Sequence, residues 1–389
     1  MVTELLTGPD GNLPDHLRPL ADGICRTRRP QSGFSWLHNS PLVQQLLTDL
    51  ATGVLPCDHA ALDERLPSRA VDHLRGLMVT YGVLPPRDRR LAAFTRTMTI
   101  KLGAIGDEDQ RRLIEQFARW DLLRRLRRHA DRGPVPEGPF LAAKQVLTVA
   151  IGFLAWLEAR GRPLSECTQH DIDAWFAGDT ATVWNARRFL RWAQVHRVIH
   201  NVDIPCRAKE NPTLVSQQQR LEIIRSLLLD NDLPLPERII GCLVTLFGQP
   251  IHRITELRVD RVQDAGSGVR IQLGRHWIDV RDPLATLLRA HLATRLDRGT
   301  AAHPTSPWLF PGLLPGEHRS SRQVGDVLRA AGVPVRAVRN ATWQQLAREA
   351  PPQVLADALG IYPGTAMRHA TQAGADWVAY AANRARKAP

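Results

Sequence analysis

One segment of this sequence alternates apolar and polar residues, in a chain whose other apolar residues recur at helical spacing. In VRIQLGRHWIDV (269–280) the alternation runs up to Gly274-Arg275, which can turn the chain, and an apolar stretch resumes at Trp277. Alternation around a short turn is typical of a β-hairpin, whereas apolar residues three and four apart are typical of helices. The sequence therefore predicts a mostly α fold with one α+β domain that contains a small β-hairpin or sheet.

Length and proline distribution indicate several domains. A chain of 389 residues is too long for one compact core, so two or three domains are expected. Residues 1–112 predict a helical N-terminal domain of unknown role, and residues 113–205 predict a second helical domain. The polar, proline-interrupted stretch 206–215 is interpreted as a linker. Residues 216–389 then form the domain that carries the hairpin.

The charge balance points to a polyanionic partner. The chain has 51 Lys and Arg against 39 Asp and Glu, a net charge of +12 and an isoelectric point near 10.4. Such a balance favours nucleic acid as a partner, although a basic surface that only aids solubility remains the alternative. Only four of the 51 basic residues are lysines, so the charge is almost entirely arginine.

Two predicted helices of the second domain concentrate this arginine. The first places five apolar residues at helical spacing on one side, where they are expected to pack inward: Leu113, Phe117, Trp120, Leu123 and Leu126. The rest of that helix carries Arg124, Arg125, Arg127 and Arg128, and the other helix carries Arg187, Arg188 and Arg191. We expect these arginines to contact DNA phosphates; the alternative is a solvated helix face.

Metal, cofactor and membrane sites are not predicted. The five cysteines stand far apart, without the spacing of a metal or redox motif. No apolar run approaches the roughly 20 residues that span a bilayer, and the first residues lack the order of a secretory signal. The sequence is therefore interpreted as that of a cytoplasmic protein with no membrane contact, and its basic charge adds the expectation that it associates with the nucleoid.

Five ordered elements carry a resemblance to a known family. They are LVTLFGQPIHRITELRVDRVQ (243–263), the hairpin, WLFPG (308–312), RQVGDVLRAAGVPVRAVRNAT (322–342) and VLADALGIYPGTAMRHA (354–370). In this order and spacing they resemble the catalytic boxes of the tyrosine recombinase, or phage integrase, family, and the chain is similar to site-specific integrases of the actinobacterial type. Residues 113–205 are similar in character to the helical core-binding domain of that family. The resemblance implies a two-domain clamp on duplex DNA.

The resemblance also assigns roles to individual residues. Arg253 and Arg339 take the positions of the two arginines that hold the scissile phosphate. The family lysine of the hairpin is absent, and Arg275 or His276 is expected at its place. Where the family has two histidines, this chain has Arg336 and Ile361, and Arg336 is expected to contact DNA together with Arg275 and His276. Its catalytic residues are therefore degenerate.

The expected nucleophile is also missing. The family tyrosine would fall near Arg368-His369, so His369 is one candidate, and Tyr380 on the C-terminal segment is the other. Both are doubtful nucleophiles. Without a nucleophile and a proton donor, transesterification of a phosphodiester has no evident route.

These residues support three functions. The first is a DNA-binding protein of this family, associated with recombination, that does not cleave DNA. The second is a working recombinase that uses Tyr380 or His369, and the third is a protein-interaction module on the same fold. A homo-oligomer assembled on DNA through the C-terminal segment is implied by the resemblance alone.

Overall fold

The structure, a computed structural model, divides into two compact units. It describes residues 2–25, 30–65, 68–178, 180–206, 214–229, 231–266, 268–296 and 306–374. One unit consists of Met1–Pro85 and Asn211–Pro389, and the other of Pro86–Glu210. The described residues are mostly helical and include one three-stranded antiparallel sheet, which confirms the predicted fold class.

The N-terminal part of the first unit is a set of short helices around its own core. They are α1 (Val2–Leu5), α2 (Arg18–Cys25), α3 (Pro30–His38), α4 (Pro41–Ala51), α5 (His59–Glu64) and α6 (Arg69–Thr80). Leucine is the commonest residue of that core, and five of these helices contribute leucines to it, including Leu20, Leu46 and Leu74. Asp58 and Ser68 begin α5 and α6 by accepting hydrogen bonds from backbone N–H groups of the first turn.

The second unit is entirely helical where it is described. Its helices are α7 (Arg89–Gly103), α8 (Glu108–Phe117), α9 (Arg124–Ala130), α10 (Glu137–Glu158), α11 (Gln169–Phe176) and α12 (Ala186–Val195). The helix α10 packs against α7, α8 and α12, and eight of its residues are buried. By length and composition α10 could cross a membrane. No apolar run of that length was expected from the sequence. In this structure α10 is the central helix of the unit's core.

The domain limits differ from those drawn from the sequence. Phe94, Met98 and Leu102 of α7 are buried in the same core as α10, and the compact unit starts at Pro86. The predicted limit at residue 112 therefore falls inside the second unit, because the sequence pattern of α7 does not show which core it joins. Most of the predicted linker, residues 207–213, lies outside the described residues.

A π-helical turn interrupts the basic helix of the second unit. It spans Ala118–Leu123 between α8 and α9, and it accommodates one more residue per turn than an α-helix would. Phe117, Ala118, Leu122 and Leu123 consequently face the core, while Trp120 is 68% exposed. The prediction that Trp120 packs inward was wrong, because it assumed an uninterrupted α-helical period.

The C-terminal part of the first unit combines helices with the sheet. Its helices are α13 (Gln217–Leu229), α14 (Leu235–Phe247), α15 (Ile251–Thr255), α16 (Leu284–Leu296), α17 (Ser321–Ala330), α18 (Val335–Glu349), α19 (Pro352–Leu359) and α20 (Pro363–Gln372). The buried helix α14 packs against α13, α16 and α18. This arrangement places α18, α19 and α20 next to one another, with α20 packed on both of the others.

The sheet contains the predicted hairpin and one further strand. Its strands, β1 (Val262–Asp264), β2 (Val269–Gln272) and β3 (Trp277–Val280), lie in the order β1-β2-β3 and are antiparallel. Gln272 pairs with Trp277, so Leu273–His276 form the connection that we call the hairpin tip. Val269 and Ile271 of β2 are fully buried in the core.

Candidate nucleic-acid interface

The first candidate site begins at the end of α14. Gly248 ends that helix with a φ of 62°, and a Cβ there would lie 2.6 Å from Trp343 Nε1, so only glycine fits the position. Trp343 Nε1 donates a hydrogen bond of 2.8 Å to the carbonyl oxygen of Gly248. The buried Gln249 donates from Nε2 to the carbonyl oxygen of Leu359, at 2.9 Å. The segment before α15 is therefore fixed to α18 on one side and to the end of α19 on the other.

Arg253 on α15 is committed to backbone carbonyls. Its Nη1 donates to the carbonyl oxygens of Leu359 at 3.3 Å and Gly360 at 2.5 Å, and its Nη2 donates to that of Leu273 at 3.3 Å. Burial lowers the pKa of this guanidinium from its ordinary value, and Glu256 opposes the effect. Arg253 thus connects the hairpin tip to the turn between α19 and α20.

The same turn and the hairpin tip touch backbone to backbone. A Cβ on Gly274 would lie 2.2 Å from the carbonyl oxygen of Asp357, and Arg275 donates its backbone N–H to that oxygen at 2.8 Å. Gly360 has a φ of 65°, and a Cβ there would lie 2.6 Å from the carbonyl oxygen of Leu273. The side chains of Arg275 and His276 are exposed at this tip.

Arg339 forms a second arginine site on α18. Its guanidinium is half-buried, and its Nε has no hydrogen-bond partner among the described residues. Burial lowers its pKa first, and the positive charges of Arg336 and Arg368 lower it further. These two neighbours are exposed. We call Arg336, Arg339, Arg368 and His369 the arginine pocket.

His369 is a buried, neutral member of this pocket. It is 7% exposed and stacks on Trp343, with ring centroids 5.4 Å apart and planes 16° apart. Burial, followed by the charges of Arg368 and Arg339, lowers its pKa to about 4. At neutral pH the imidazole is therefore uncharged and cannot serve as a ready proton donor.

Of the two candidate nucleophiles, His369 lies in the arginine pocket. Tyr380 lies outside the described residues. Ile361, which the resemblance set against a family histidine, packs against the apolar core of this part of the chain. Tyr362 follows it at the start of α20 and is 78% exposed. The remaining tyrosine, Tyr81, donates its hydroxyl to the Gly23 carbonyl in the N-terminal core.

The arginine surface of the second unit is the other candidate site. We define it by the predicted arginines Arg124, Arg125, Arg127, Arg128, Arg187, Arg188 and Arg191. The five that are exposed are Arg124, Arg125, Arg127, Arg128 and Arg191. Such side chains can reach phosphate oxygens without prior rearrangement of the core.

Three members of the arginine surface already have partners within the unit. Asp121 accepts hydrogen bonds from Arg125 at 3.0 Å and from Arg188 at 2.6 Å. The half-buried Arg187 lies with its Nη2 2.6 Å from Cys206 Sγ. The contact between Asp121 and Arg188 could not be seen in the sequence because 67 residues separate them, whereas Asp121 and Arg125 have the i,i+4 spacing of a helical ion pair.

Arg368 is the pocket residue to which the sequence analysis gave no role. The signal was present, because Arg368 adjoins His369 in the segment that resembles the nucleophile helix. Among the described residues no group of three or more His, Cys, Asp or Glu side chains could hold a metal ion.

Comparison with known proteins finds similarity to recombinases and integrases among solved structures. No family model matches the chain, and no curated protein matches it. The XerH site-specific recombinase in a post-cleavage complex with a palindromic difH substrate has 13% identity and a TM-score of 0.48, over 76% of this chain and 95% of that one. The Tn1549 transposon integrase with a circular intermediate DNA has 13% identity and a TM-score of 0.42, over 66% and 94%.

A third similar structure is lambda integrase bound to DNA. It has 16% identity and a TM-score of 0.40, over 67% of this chain and 97% of that one. Because these TM-scores are below 0.5, the similarities assign no function to the chain.

Proposed function

We propose that this protein binds duplex DNA and does not cleave it, as an integrase-like member of the tyrosine recombinase family, of the actinobacterial type, with degenerate catalytic residues. The observation that carries the proposal is the arginine pocket. A half-buried Arg339 stands beside Arg336 and Arg368, and its Nε has no partner among the described residues. Three neighbouring positive charges with one unsatisfied donor favour an anion as their partner.

The anion that these arginines bind is better explained as a DNA phosphate than as a carboxylate on another protein. A guanidinium pairs with the oxygens of either group, but duplex DNA supplies phosphates at regular intervals, which suits several arginines spread over the protein. The exposed arginines of the second unit and the net charge of +12 support the same class of partner. Phosphate contacts of this kind would position the protein on DNA without reading its sequence.

Cleavage lacks its chemical groups. Protonation of the leaving oxygen needs a positioned acid, which usually contributes about 10²–10⁴ in rate. His369 is neutral and stacked on Trp343, Ile361 is apolar, and no lysine occurs between Lys209 and Lys387. Arginine holds its proton too strongly to replace that acid.

This proposal extends to where the protein acts. Binding to chromosomal DNA would associate it with the nucleoid in the cytoplasm, either as one chain or as a homo-oligomer on the duplex. No metal or cofactor is required by the proposed function, because binding depends on arginine and phosphate alone.

Binding is tested by titrating labelled duplex with the full chain at several salt concentrations. With six or more phosphate contacts, affinity should fall about a thousandfold or more between 50 and 200 mM salt, because each contact releases a counterion. An affinity that does not depend on salt, or no retention of any duplex, would show that the basic charge serves another partner, such as a protein.

Cleavage is tested on nicked duplexes drawn from the bound DNA, separated on a denaturing gel. We expect no strand linked to protein. A covalent adduct would make the protein an enzyme, and its loss in Tyr380→Phe, His369→Ala or Tyr362→Phe would then identify the nucleophile.

A further inference from the structure

Trp120 is an exposed aromatic residue within the arginine surface. It is 68% exposed, whereas the other tryptophans of the described residues are buried or half-buried. An isolated exposed apolar side chain is common on protein surfaces and needs no explanation by itself. The position of this ring in the helix and its charged surroundings are less ordinary.

The π-helical turn is what exposes the ring. Phe117 and Leu122, five residues apart, both face the core, and Trp120 lies between them on the outside. In an uninterrupted α-helix the residue three positions after Phe117 would lie on the same side as Phe117. A π-helical turn is an uncommon local feature that is frequent at functional sites.

The surroundings of Trp120 are cationic. Arg124, Arg127 and Arg128 follow on α9 and are exposed, and none has an ion-pair partner among the described residues. Asp121, the acidic residue next to Trp120 in the sequence, is paired with Arg125 and Arg188. An exposed aromatic ring one to two helical turns before several exposed arginines combines an apolar contact with attraction to a polyanion.

We propose that Trp120 makes an apolar contact with duplex DNA, against a base or a deoxyribose face, while the neighbouring arginines hold the phosphates. The inference rests on the proposed function and adds a residue to it. Tryptophan and arginine together are enriched at the centres of binding surfaces, and apolar side chains of DNA-binding proteins can wedge between base steps. A second copy of the chain fits less well, because a symmetric contact would place like-charged arginines against one another.

Alanine replacement tests the contact in the full chain. Trp120→Ala should weaken binding to duplex DNA between about fivefold and a hundredfold, the loss expected for a stacked aromatic ring. The slope of log affinity against log salt should stay unchanged, because an apolar contact releases no counterions. Trp120→Phe should recover most of the affinity. Ile100→Ala, a control that removes a residue 63% exposed on α7 of the same unit, should have no effect.

A second measurement does not depend on the alanine variant. The tryptophan emission that wild type has in excess of Trp120→Phe should be quenched when duplex is added. Unchanged affinity in Trp120→Ala, a changed salt slope, or no quenching would each overturn the inference. A loss of self-association in sedimentation, with DNA affinity intact, would assign the ring to contact between copies. If wild type bound no duplex at all, the proposed function itself would fail.

Discussion

The arginine pocket and the arginine surface use the same residue type under opposite physical conditions. In the pocket, Arg339 is half-buried with a lowered pKa, and it lies beside an imidazole stacked on Trp343. On the surface, Arg124, Arg127 and Arg128 are exposed. The properties of a pocket arginine therefore depend on the residues around it, whereas the surface arginines contribute to DNA affinity through their number. Replacing one pocket arginine should therefore change DNA affinity more than replacing one surface arginine does.

The largest expected effect is the loss of several surface arginines at once. Arg124→Ala, Arg127→Ala and Arg128→Ala combined should reduce the salt slope by nearly three and weaken binding on the order of 100-fold at 100 mM salt. The loss should be similar for every duplex sequence, because phosphate contacts do not read bases. Fluorescence anisotropy with unrelated duplexes measures both quantities.

Lysine at the same three positions is the matched control. It keeps the charge, so the salt slope should be preserved. If the alanine variant keeps the wild-type slope, these arginines face solvent in the complex and the surface makes no contribution.

A smaller and more selective effect should separate the two arginines of the first unit. Arg339→Ala should weaken binding about tenfold and reduce the salt slope by about one, with little change in the free energy of unfolding. Arg253→Ala should instead destabilise the fold, because three carbonyl oxygens lose a donor. Its free energy of unfolding should fall by about 2 to 4 kcal/mol while the salt slope stays constant.

Denaturant unfolding gives the free energy of unfolding of each variant, and salt titration of DNA binding gives the salt slope of each. Arg253→Lys should not restore stability, since one ammonium cannot reach all three oxygens. A reduced slope in Arg253→Ala would mean that Arg253 leaves the carbonyls to bind phosphate.

The smallest effect is expected from Asp121, which shields the surface. Asp121→Asn removes a negative charge that Arg125 and Arg188 now share. Affinity for duplex should rise a few-fold, because about 1 kcal/mol is typical of such exposed or partly exposed pairs. Glu115→Gln, which removes the partner of Arg119 in the π-helical turn, is the comparison. If Asp121→Asn weakens binding, the carboxylate orients the arginines and does not neutralise them.

The hairpin could be predicted because its signals are local. Alternating apolar residues and a glycine at the turn lie within twelve consecutive positions, and β2 and β3 occur there. The outward position of Trp120 could not be predicted, because a π-helical turn inserts one residue without a sequence signature. One extra residue was enough to move an apolar ring from the core to the surface.

The contacts of the site residues could not be predicted from the sequence either. The sequence singled out Arg253 by resemblance, but its partners Leu359 and Gly360 are 106 and 107 residues away. The stacking of His369 on Trp343 and the shared carboxylate of Asp121 depend in the same way on tertiary packing. Local pattern finds the elements, whereas the chemistry of each side chain is decided by contacts between elements.

The long separation between Arg253 and its carbonyl partners has a consequence for synthesis on the ribosome. At roughly 5 to 20 residues per second, the 107 residues between Arg253 and Gly360 take on the order of 5 to 20 seconds to be added. During that interval the hairpin tip has no turn to dock against. The second unit, Pro86–Glu210, is a continuous segment and can fold before the turn at Gly360 has been synthesised. A nascent chain would therefore carry the arginine surface before it carries the arginine pocket.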